Sequence, residues 1–377
     1  MLERLKDLLH SRSEFSAKRP QADRRLIAII ALLVIFGLIM LASASSIVAY
    51  NTYQDTYYFF KRQLLSILIG VIVFWVFSKI DYKIFKKLAL PMLIASIGIL
   101  LLVFVPGLGR EVNGSQSWLN IFGFSLQPSE LVKFSFLAYL AALFEKSSET
   151  PKRFFSFLII YGVIALLILL EPDIGTLFVL TAAAFSVYFI GGGKIKHLII
   201  LLVIGLLGLY IMVHLPGQEY RLERFKCFID TGQDSRGSCY QINQSLIAIG
   251  SGGITGRGLG ESRQKFLYLP EVQNDFIFAV IAEETGLIGA GAIIILFAFL
   301  AFRSWAIAKG APDGFGRNFC VGISVWLVVQ AILNIGGITN FLPMTGVPLP
   351  LISYGGTAVI ASMAGLGVVA NVSRYTS

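Results

Sequence analysis

The most regular feature of the chain is a succession of apolar runs separated by polar connections. A helix that crosses a bilayer needs about 20 apolar residues, or somewhat fewer where flanking lysines and arginines reach the headgroups. Ten runs meet this requirement, at 26–48, 63–80, 88–106, 129–144, 154–170, 173–191, 197–215, 275–302, 317–339 and 350–372. The pattern predicts an all-α, polytopic membrane protein whose ten transmembrane helices form a single domain, 26–377.

Lysine and arginine residues are distributed unevenly among the connections. Residues 1–25 are rich in both, and so are the even-numbered connections, whereas the short odd-numbered connections have few. Positively charged connections stay in the cytoplasm, so we expect both termini to be cytoplasmic. The long seventh connection, 216–274, is then extracytoplasmic. Leucines recur at helical spacing within residues 1–25, as in a short interfacial helix. A mobile basic tail is an equally favoured alternative.

Introduced cysteines can test this topology. In intact spheroplasts, cysteines at Asn113 and Gln233 are expected to react with a membrane-impermeant thiol reagent, because both positions lie in extracytoplasmic connections. A cysteine at Ser148 is expected to stay unlabelled, and the parent chain gives the background. Labelling at Ser148 from outside would overturn the count of ten spans.

Composition narrows the class of protein further. Of 377 residues, 56% are hydrophobic and 14% are charged, whereas soluble domains have about 25% charged residues. This composition excludes a soluble enzyme, and a disordered chain would be far less hydrophobic. The net charge of +9 is explained by the cytoplasmic connections, so no nucleic-acid partner is expected.

Polar residues next to the apolar runs form two clusters in the first half of the chain. The third connection carries Trp118, and the following span begins with Glu130 and Lys133, which can share a helix face. This pair is either a neutralised helix start or part of a polar cavity. Glu171 and Asp173 lie on the very short fifth connection. They form either a solvated turn or a cation site that takes further oxygen ligands from elsewhere.

The seventh connection holds the third and largest cluster. Its arginines and lysine, among them Arg221, Arg224 and Lys265, are suited to binding phosphate groups, with solvated loop charge as the alternative. The glycine-dense run 250–260 follows no predicted strand, which argues against a nucleotide site. We interpret these glycines as positions of close backbone approach to a ligand or of tight turns in a membrane-apposed loop.

Asp275 follows this connection directly and begins the eighth span. It lies where water gives way to lipid, an environment that can tune a carboxylate to act as a general base. The alternative is an N-terminal helix cap, which is a common use of aspartate. Glu283 and Glu284 lie about two turns deeper and indicate that this helix faces a polar interior.

The three cysteines also have distinct expected states. Cys227 and Cys239 lie in the external seventh connection, where oxidation is possible. We predict a disulfide between them, with a reduced pair as the alternative. Cys320 falls inside the ninth span and is expected to be a buried thiol.

Several motifs together resemble the SEDS family (shape, elongation, division and sporulation). The resemblance runs in order from residue 26 onward, and its motifs are Gln127–Glu130, Glu171–Asp173, Tyr240–Ser245, Lys265 with Tyr268–Glu271, Asp275–Phe278, Glu283–Gly286 and Thr345–Gly356. Residues 58–63 and 264–271 resemble the division branch, the FtsW-like members, more than the RodA-like elongation branch. Two departures are Ser117, where the family usually has arginine, and Gln273-Asn274, where it often has His-Thr.

The resemblance implies a peptidoglycan glycosyltransferase. Such an enzyme polymerises lipid II onto an undecaprenyl-pyrophosphate-linked glycan at the outer face of the bacterial cytoplasmic membrane, at the division septum. A class B penicillin-binding protein, an FtsI-like transpeptidase, would be its partner among other divisome membrane proteins, and Mg²⁺ or Mn²⁺ could assist. A lipid II flippase, an elongation polymerase and a recruiting scaffold are the alternatives.

The residues and the resemblance together give a set of candidate site residues. Asp275 matches the essential aspartate of the family and is the predicted catalytic base. The predicted substrate-binding residues are Arg221, Arg224, Lys265, Gln241, Ser245, Trp118, Glu130, Lys133 and Ser353. The carboxylates considered as metal ligands are Asp275, Glu171 and Asp173.

Overall fold

The computed structural model describes residues 21–112, 115–121, 124–146, 150–213, 226–231, 234, 237 and 239–376. The tail before residue 21, Arg221 and Arg224, and the three labelling positions lie outside the described residues. The helices with both ends described are α1 Arg24–Tyr53, α2 Tyr58–Lys79, α3 Lys83–Leu101, α4 Pro128–Leu143, α5 Pro151–Leu170, α6 Ile174–Ile190, α7 Ile195–Val213, α8 Tyr240–Gly252, α9 Ile277–Lys309, α10 Gly314–Ile338 and α11 Gly356–Val372.

Each of the ten predicted spans coincides with one helix, α1 to α7 and α9 to α11. Six helices in the described part of the chain are long and apolar enough to cross a bilayer unaided. The prediction of a polytopic helical membrane protein is therefore confirmed. The largest difference at the start of a helix is at α11, which begins at Gly356 instead of 350, because Leu351 has φ +64°, outside the right-handed helical region.

Helix α10 lies at the centre of the bundle. It packs against α4, α6, α9 and α11, and the side chains of Phe319 and Trp326 on it are almost fully buried. Helix α5, by contrast, leaves Ile159 and Leu166 exposed, as expected of a helix that faces lipid. Polar side chains join helix ends across the bundle: Asn371 accepts from Tyr82 N at 3.0 Å and donates to Ser78 O at 2.9 Å.

The third connection forms a small sheet that the hydrophobic pattern did not predict. Strands β1 Gly109–Val112, β2 Ser115–Ile121 and β3 Phe124–Leu126 pair antiparallel in this order. The sequence does contain a hairpin signal, because the dipeptide Asn113-Gly114 separates β1 from β2. Strands β1 and β3 have only four and three residues, and the seven residues of β2 do not alternate between apolar and polar.

Helix α9 is interrupted at Gly286, and the glycine-dense run explains how. Gly286 has φ +67° and ψ −167°, a conformation open to glycine. The backbone N–H groups of Arg257 and Gly258 donate to the carbonyl oxygens of Glu283 and Glu284, both at 3.0 Å. A Cβ atom on Gly256 would lie 2.2 Å from the Glu284 oxygen. The close approach is therefore to the backbone of α9, whereas we expected it to be to a ligand.

Cys227 and Cys239 form a disulfide with their Cα atoms 5.3 Å apart, as predicted. Cys320 is a buried free thiol. The disulfide is buried beside Ile242 on α8, and the side chain of Met344 packs against this group. The disulfide therefore joins two points of the long connection beside α8, and Met344 packs against them.

Replacing Cys227 and Cys239 by alanine is expected to reduce the stability of this loop by about 3 kcal/mol, because closing a short loop removes chain entropy from its unfolded state. Limited proteolysis from the outer face measures the change. Dithiothreitol should accelerate cleavage of the parent and leave the variant unchanged. Equal cleavage of parent and variant without reductant would contradict the prediction.

Candidate functional site

Asp275 lies just before α9 at the edge of a small pocket. The pocket, called here the Asp275 pocket, is lined by three parts of the chain: residues 275–276, one face of α10 from Leu333 to Ile338, and the loop 344–347. Asp275 is half-buried, and its backbone carbonyl oxygen accepts a hydrogen bond from Asn334 Nδ2 at 2.8 Å. The aspartate is thus held at a fixed place where the long connection ends.

Asn334 joins the three walls of this pocket. Besides Asp275 O, its Nδ2 donates to Val347 O, also at 2.8 Å. Its Oδ1 atom is buried and, among the described residues, has no hydrogen-bond partner; the same holds for Thr345 Oγ1. Asn334 and Thr345 line the pocket, so it contains two polar atoms beside Asp275 that no described residue satisfies.

The start of α6 closes the loop 344–347 from the other side. A Cβ atom on Gly175 would lie 2.5 Å from Val347 Cγ1 and 2.9 Å from Thr345 O, so only glycine permits this approach. Asp173 caps α6 by accepting from Thr176 N at 2.9 Å, and Gln127 Nε2 donates to its other oxygen at 3.4 Å. Asp173 therefore has a structural use beside the pocket loop.

Glu171 is fully buried, and its carbonyl oxygen accepts from Ser117 Oγ at 3.3 Å. Burial, with a smaller contribution from Asp173, raises the pKa of the Glu171 carboxyl to about 8. At neutral pH this carboxyl is mostly protonated, which weakens it as a cation ligand. In the described part of the chain, no three His, Cys, Asp or Glu side chains come together as a metal site, so Asp275, Glu171 and Asp173 do not form one.

Glu130 and Lys133 form a buried ion pair with Nζ and Oε1 2.7 Å apart. Lys133 Nζ also donates to Gln330 Oε1 at 3.0 Å and lies 4.9 Å from the centre of the Trp326 ring. Gln330 Nε2 in turn donates to Pro348 O at 2.9 Å. The pair therefore lies in the core between α4 and α10 and supports the pocket loop from behind, without lining the pocket.

Lys265 is bound to one carboxylate of α9. Its Nζ donates to Glu284 Oε1 at 3.0 Å, to Ser43 Oγ at 3.1 Å and to Gly260 O at 2.5 Å. The neighbouring Glu283 accepts from Ser262 Oγ at 2.5 Å. The sequence predicted that Lys265 lies beside the substrate and helps to hold phosphate. Its described contacts instead attach the long connection to α9 and α1.

The remaining predicted residues surround the pocket at different distances from it. Ser245 Oγ donates to Ile338 O at 2.9 Å, which joins α8 to the pocket wall, and Gln241 lies half-buried one turn earlier. Ser353 Oγ accepts from Leu349 N at 2.8 Å and shapes a turn outside the pocket. Trp118 is half-buried on β2. Asn334 and Thr345 were missed, although an asparagine inside an apolar run is a usable signal.

The fold and the sequence both match known proteins. A family model described as "Cell cycle protein", for FtsW, RodA and SpoVE, matches residues 23–377. Stage V sporulation protein E of Bacillus subtilis (strain 168) is 40% identical over 365 residues, 96% of this chain and 99% of the relative. The probable peptidoglycan glycosyltransferase FtsW of Geobacter sp. (strain M18) is 39% identical over 346 residues, 91% and 94% of the two chains.

Solved structures extend the likeness to three dimensions. A chain from a peptidoglycan synthase complex that coordinates polymerization and crosslinking superposes with a TM-score of 0.76 at 28% identity, covering 94% of this chain and 99% of that one. Thermus thermophilus rod shape determining protein RodA gives a TM-score of 0.70 at 28% identity, covering 94% and 98%. With the family model matched over residues 23–377, this chain belongs to the FtsW/RodA/SpoVE family of membrane proteins, the SEDS family.

Proposed function

We propose that the chain is a peptidoglycan glycosyltransferase that polymerises lipid II at the outer face of the bacterial cytoplasmic membrane. Relatives that share 35–40% of its residues over at least nine-tenths of its length include several probable peptidoglycan glycosyltransferases. The observation that carries the proposal is the Asp275 pocket, where a half-buried carboxylate adjoins orphaned polar atoms. By the charge pattern of the connections, this pocket lies on the outer side.

The reaction assigns one step to Asp275. The carboxylate accepts the proton of an acceptor sugar hydroxyl as that oxygen forms a bond to the anomeric carbon of the donor. The bond from the anomeric carbon to the pyrophosphate breaks, and undecaprenyl pyrophosphate leaves with the electron pair. One base is sufficient because the configuration inverts in a single displacement, and Asp275 then returns the proton to water.

The surrounding residues hold the base, Asp275, in a fixed position. Asn334 holds the Asp275 backbone against α10, while Ser245 and the disulfide hold the long connection over the same edge. Arg221 and Arg224 are the residues proposed to stabilise the charge on the leaving pyrophosphate. No three described His, Cys, Asp or Glu side chains come together, and no step here depends on Mg²⁺ or Mn²⁺.

A class B penicillin-binding protein of the FtsI-like type is the proposed partner. The solved complex that resembles this chain couples polymerization to crosslinking, and a transpeptidase is what a glycan polymerase requires to produce a crosslinked wall. We place the pair at the division septum with other divisome membrane proteins, because residues 58–63 and 264–271 resemble the division branch. An elongation role like that of RodA is the alternative for the same chemistry.

Lipid II transport is the rival activity, and one experiment separates the two. The purified chain in detergent, with its partner, is given lipid II, and the products are resolved on a gel. We expect glycan strands, because a polymerase needs no membrane to cross. Movement of lipid II across vesicle membranes without any polymer in detergent would instead establish a flippase.

A further inference from the structure

Two buried polar atoms in the Asp275 pocket receive no hydrogen bond from the described part of the fold. Asn334 Oδ1 and Thr345 Oγ1 have no hydrogen-bond partner among the described residues, and Asn334 is only 4% exposed. An unsatisfied buried polar group costs about 1–3 kcal/mol, so such groups tend to persist where a ligand satisfies them. These two line the same pocket.

The orientation of the Asn334 amide is fixed by its neighbours. Its Nδ2 donates to two backbone carbonyl oxygens, those of Asp275 and Val347. Turning the amide over would set Oδ1 against two acceptors and lose both hydrogen bonds. Oδ1 is therefore a pre-oriented acceptor, and what it lacks is a donor.

Thr345 supplies the complementary group. Its hydroxyl can donate or accept, and it lies on the loop 344–347, which faces α10 across the pocket. The following residue, Gly346, has φ +71°, a turn conformation that glycine adopts without strain. The pocket therefore offers an acceptor and a donor on two different elements.

We infer that Asn334 and Thr345 recognise the acetamido group of an N-acetylated sugar. Asn334 Oδ1 accepts from the amide N–H, and the Thr345 hydroxyl donates to the amide carbonyl oxygen. A sugar hydroxyl has its donor and its acceptor on one oxygen, whereas an acetamido group presents them on two atoms. The inference rests on the proposed function, and it adds a specificity that the proposed chemistry does not require.

The apolar wall of the pocket fits the rest of this group. Leu333, Ile338 and Met344 line it beside the two polar atoms, and they provide a surface for the acetamido methyl. A sugar without the acetamido group would leave both polar atoms desolvated and unpaired. Sites built to hydrogen-bond a substrate group reject analogues that lack it for this reason.

The test combines two variants with two kinds of substrate. The Thr345→Val variant removes the hydroxyl at similar size, and Thr345→Ser retains it. The substrates are lipid II and two analogues in which one acetamido group, on either sugar, is replaced by hydrogen. The readout is kcat/KM for polymerisation in detergent, with thermal stability measured on each sample.

We expect the parent to prefer lipid II over one of the two analogues by about 10- to 100-fold. With lipid II, the kcat/KM of Thr345→Val should be lower than that of the parent by a similar factor. With the disfavoured analogue, Thr345→Val and the parent should have similar kcat/KM values. Thr345→Ser should resemble the parent. Equal use of all three substrates by the parent would overturn the inference without relying on any variant. An equal loss by Thr345→Val on every substrate would overturn it too, because it indicates a purely structural role. A parent that makes no polymer from lipid II would refute the proposed function itself, so the two failures are distinguishable.

Discussion

The Asp275→Asn variant is expected to polymerise lipid II at least a hundredfold more slowly than the parent while it remains folded. Loss of a general base typically costs 10²–10⁴-fold in rate, and asparagine has almost the same volume as aspartate. The hydrogen bond from Asn334 goes to the backbone carbonyl of residue 275, so the substitution leaves it in place. The N-cap of α9 is Phe276 and not Asp275, the position considered from the sequence, so the substitution leaves the helix cap unchanged.

Gel-resolved glycan strands measure this effect, with thermal stability and partner binding checked on the same preparation. The matched control is Asp55→Asn, which changes an exposed aspartate in the first outer connection, where it pairs with Lys61. It should polymerise like the parent. Activity of Asp275→Asn within about threefold of the parent would exclude Asp275 as the base.

The second large effect concerns stability. The Lys133→Met variant is expected to lose about 3–5 kcal/mol, because it leaves the carboxylate of Glu130 buried without its cation. Glu130 and Lys133 are 2% and 1% exposed, so water cannot replace the lost partner. The double variant Glu130→Gln with Lys133→Met removes both charges and should recover most of the loss.

Thermal unfolding in detergent, followed by the fraction that stays monodisperse, compares the three proteins. Lys152→Met, at an exposed position at the start of α5, serves as the control and should change little. A double variant as unstable as the single one would show that the ion pair contributes through its shape and not through its charge. That result would contradict the prediction that the unpaired charge of Glu130 causes the loss of stability.

The membrane helices were predictable from sequence because each is encoded locally. A run of about 20 apolar residues has few ways to satisfy its backbone in lipid other than a helix, and charge in the connections alternates with the spans. The dipeptide Asn113-Gly114 in the third connection is also a local hairpin signal, but strand β2 beside it does not alternate between apolar and polar residues.

The candidate site was only partly predictable because it depends on distant contacts. Asp275 could be singled out from its position at the end of the longest connection. Its pocket, however, is completed by Asn334 and Thr345, which are 59 and 70 residues further along the chain. No local pattern shows that α10 and the loop 344–347 meet there.

Lys265 is a second case in which the sequence does not show a contact between distant residues. A lysine in an external loop near a predicted carboxylate is reasonably expected to bind phosphate. Its partner is instead the buried Glu284, which lies two residues before the interruption of α9 at Gly286, where the run 250–260 packs. The fold shows that the charge of Lys265 holds the long connection against α9.

Binding of lipid II in the Asp275 pocket can be detected by photocrosslinking from Met344. A diazirine amino acid at Met344, which lines the pocket, is illuminated with radiolabelled lipid II that carries a shortened tail. The control places the same amino acid at Lys309, the opposite end of α9. We predict a labelled adduct at 344 that unlabelled lipid II suppresses, and none at 309. An active protein that gives no suppressible adduct at 344, or an equal one at 309, would contradict the account.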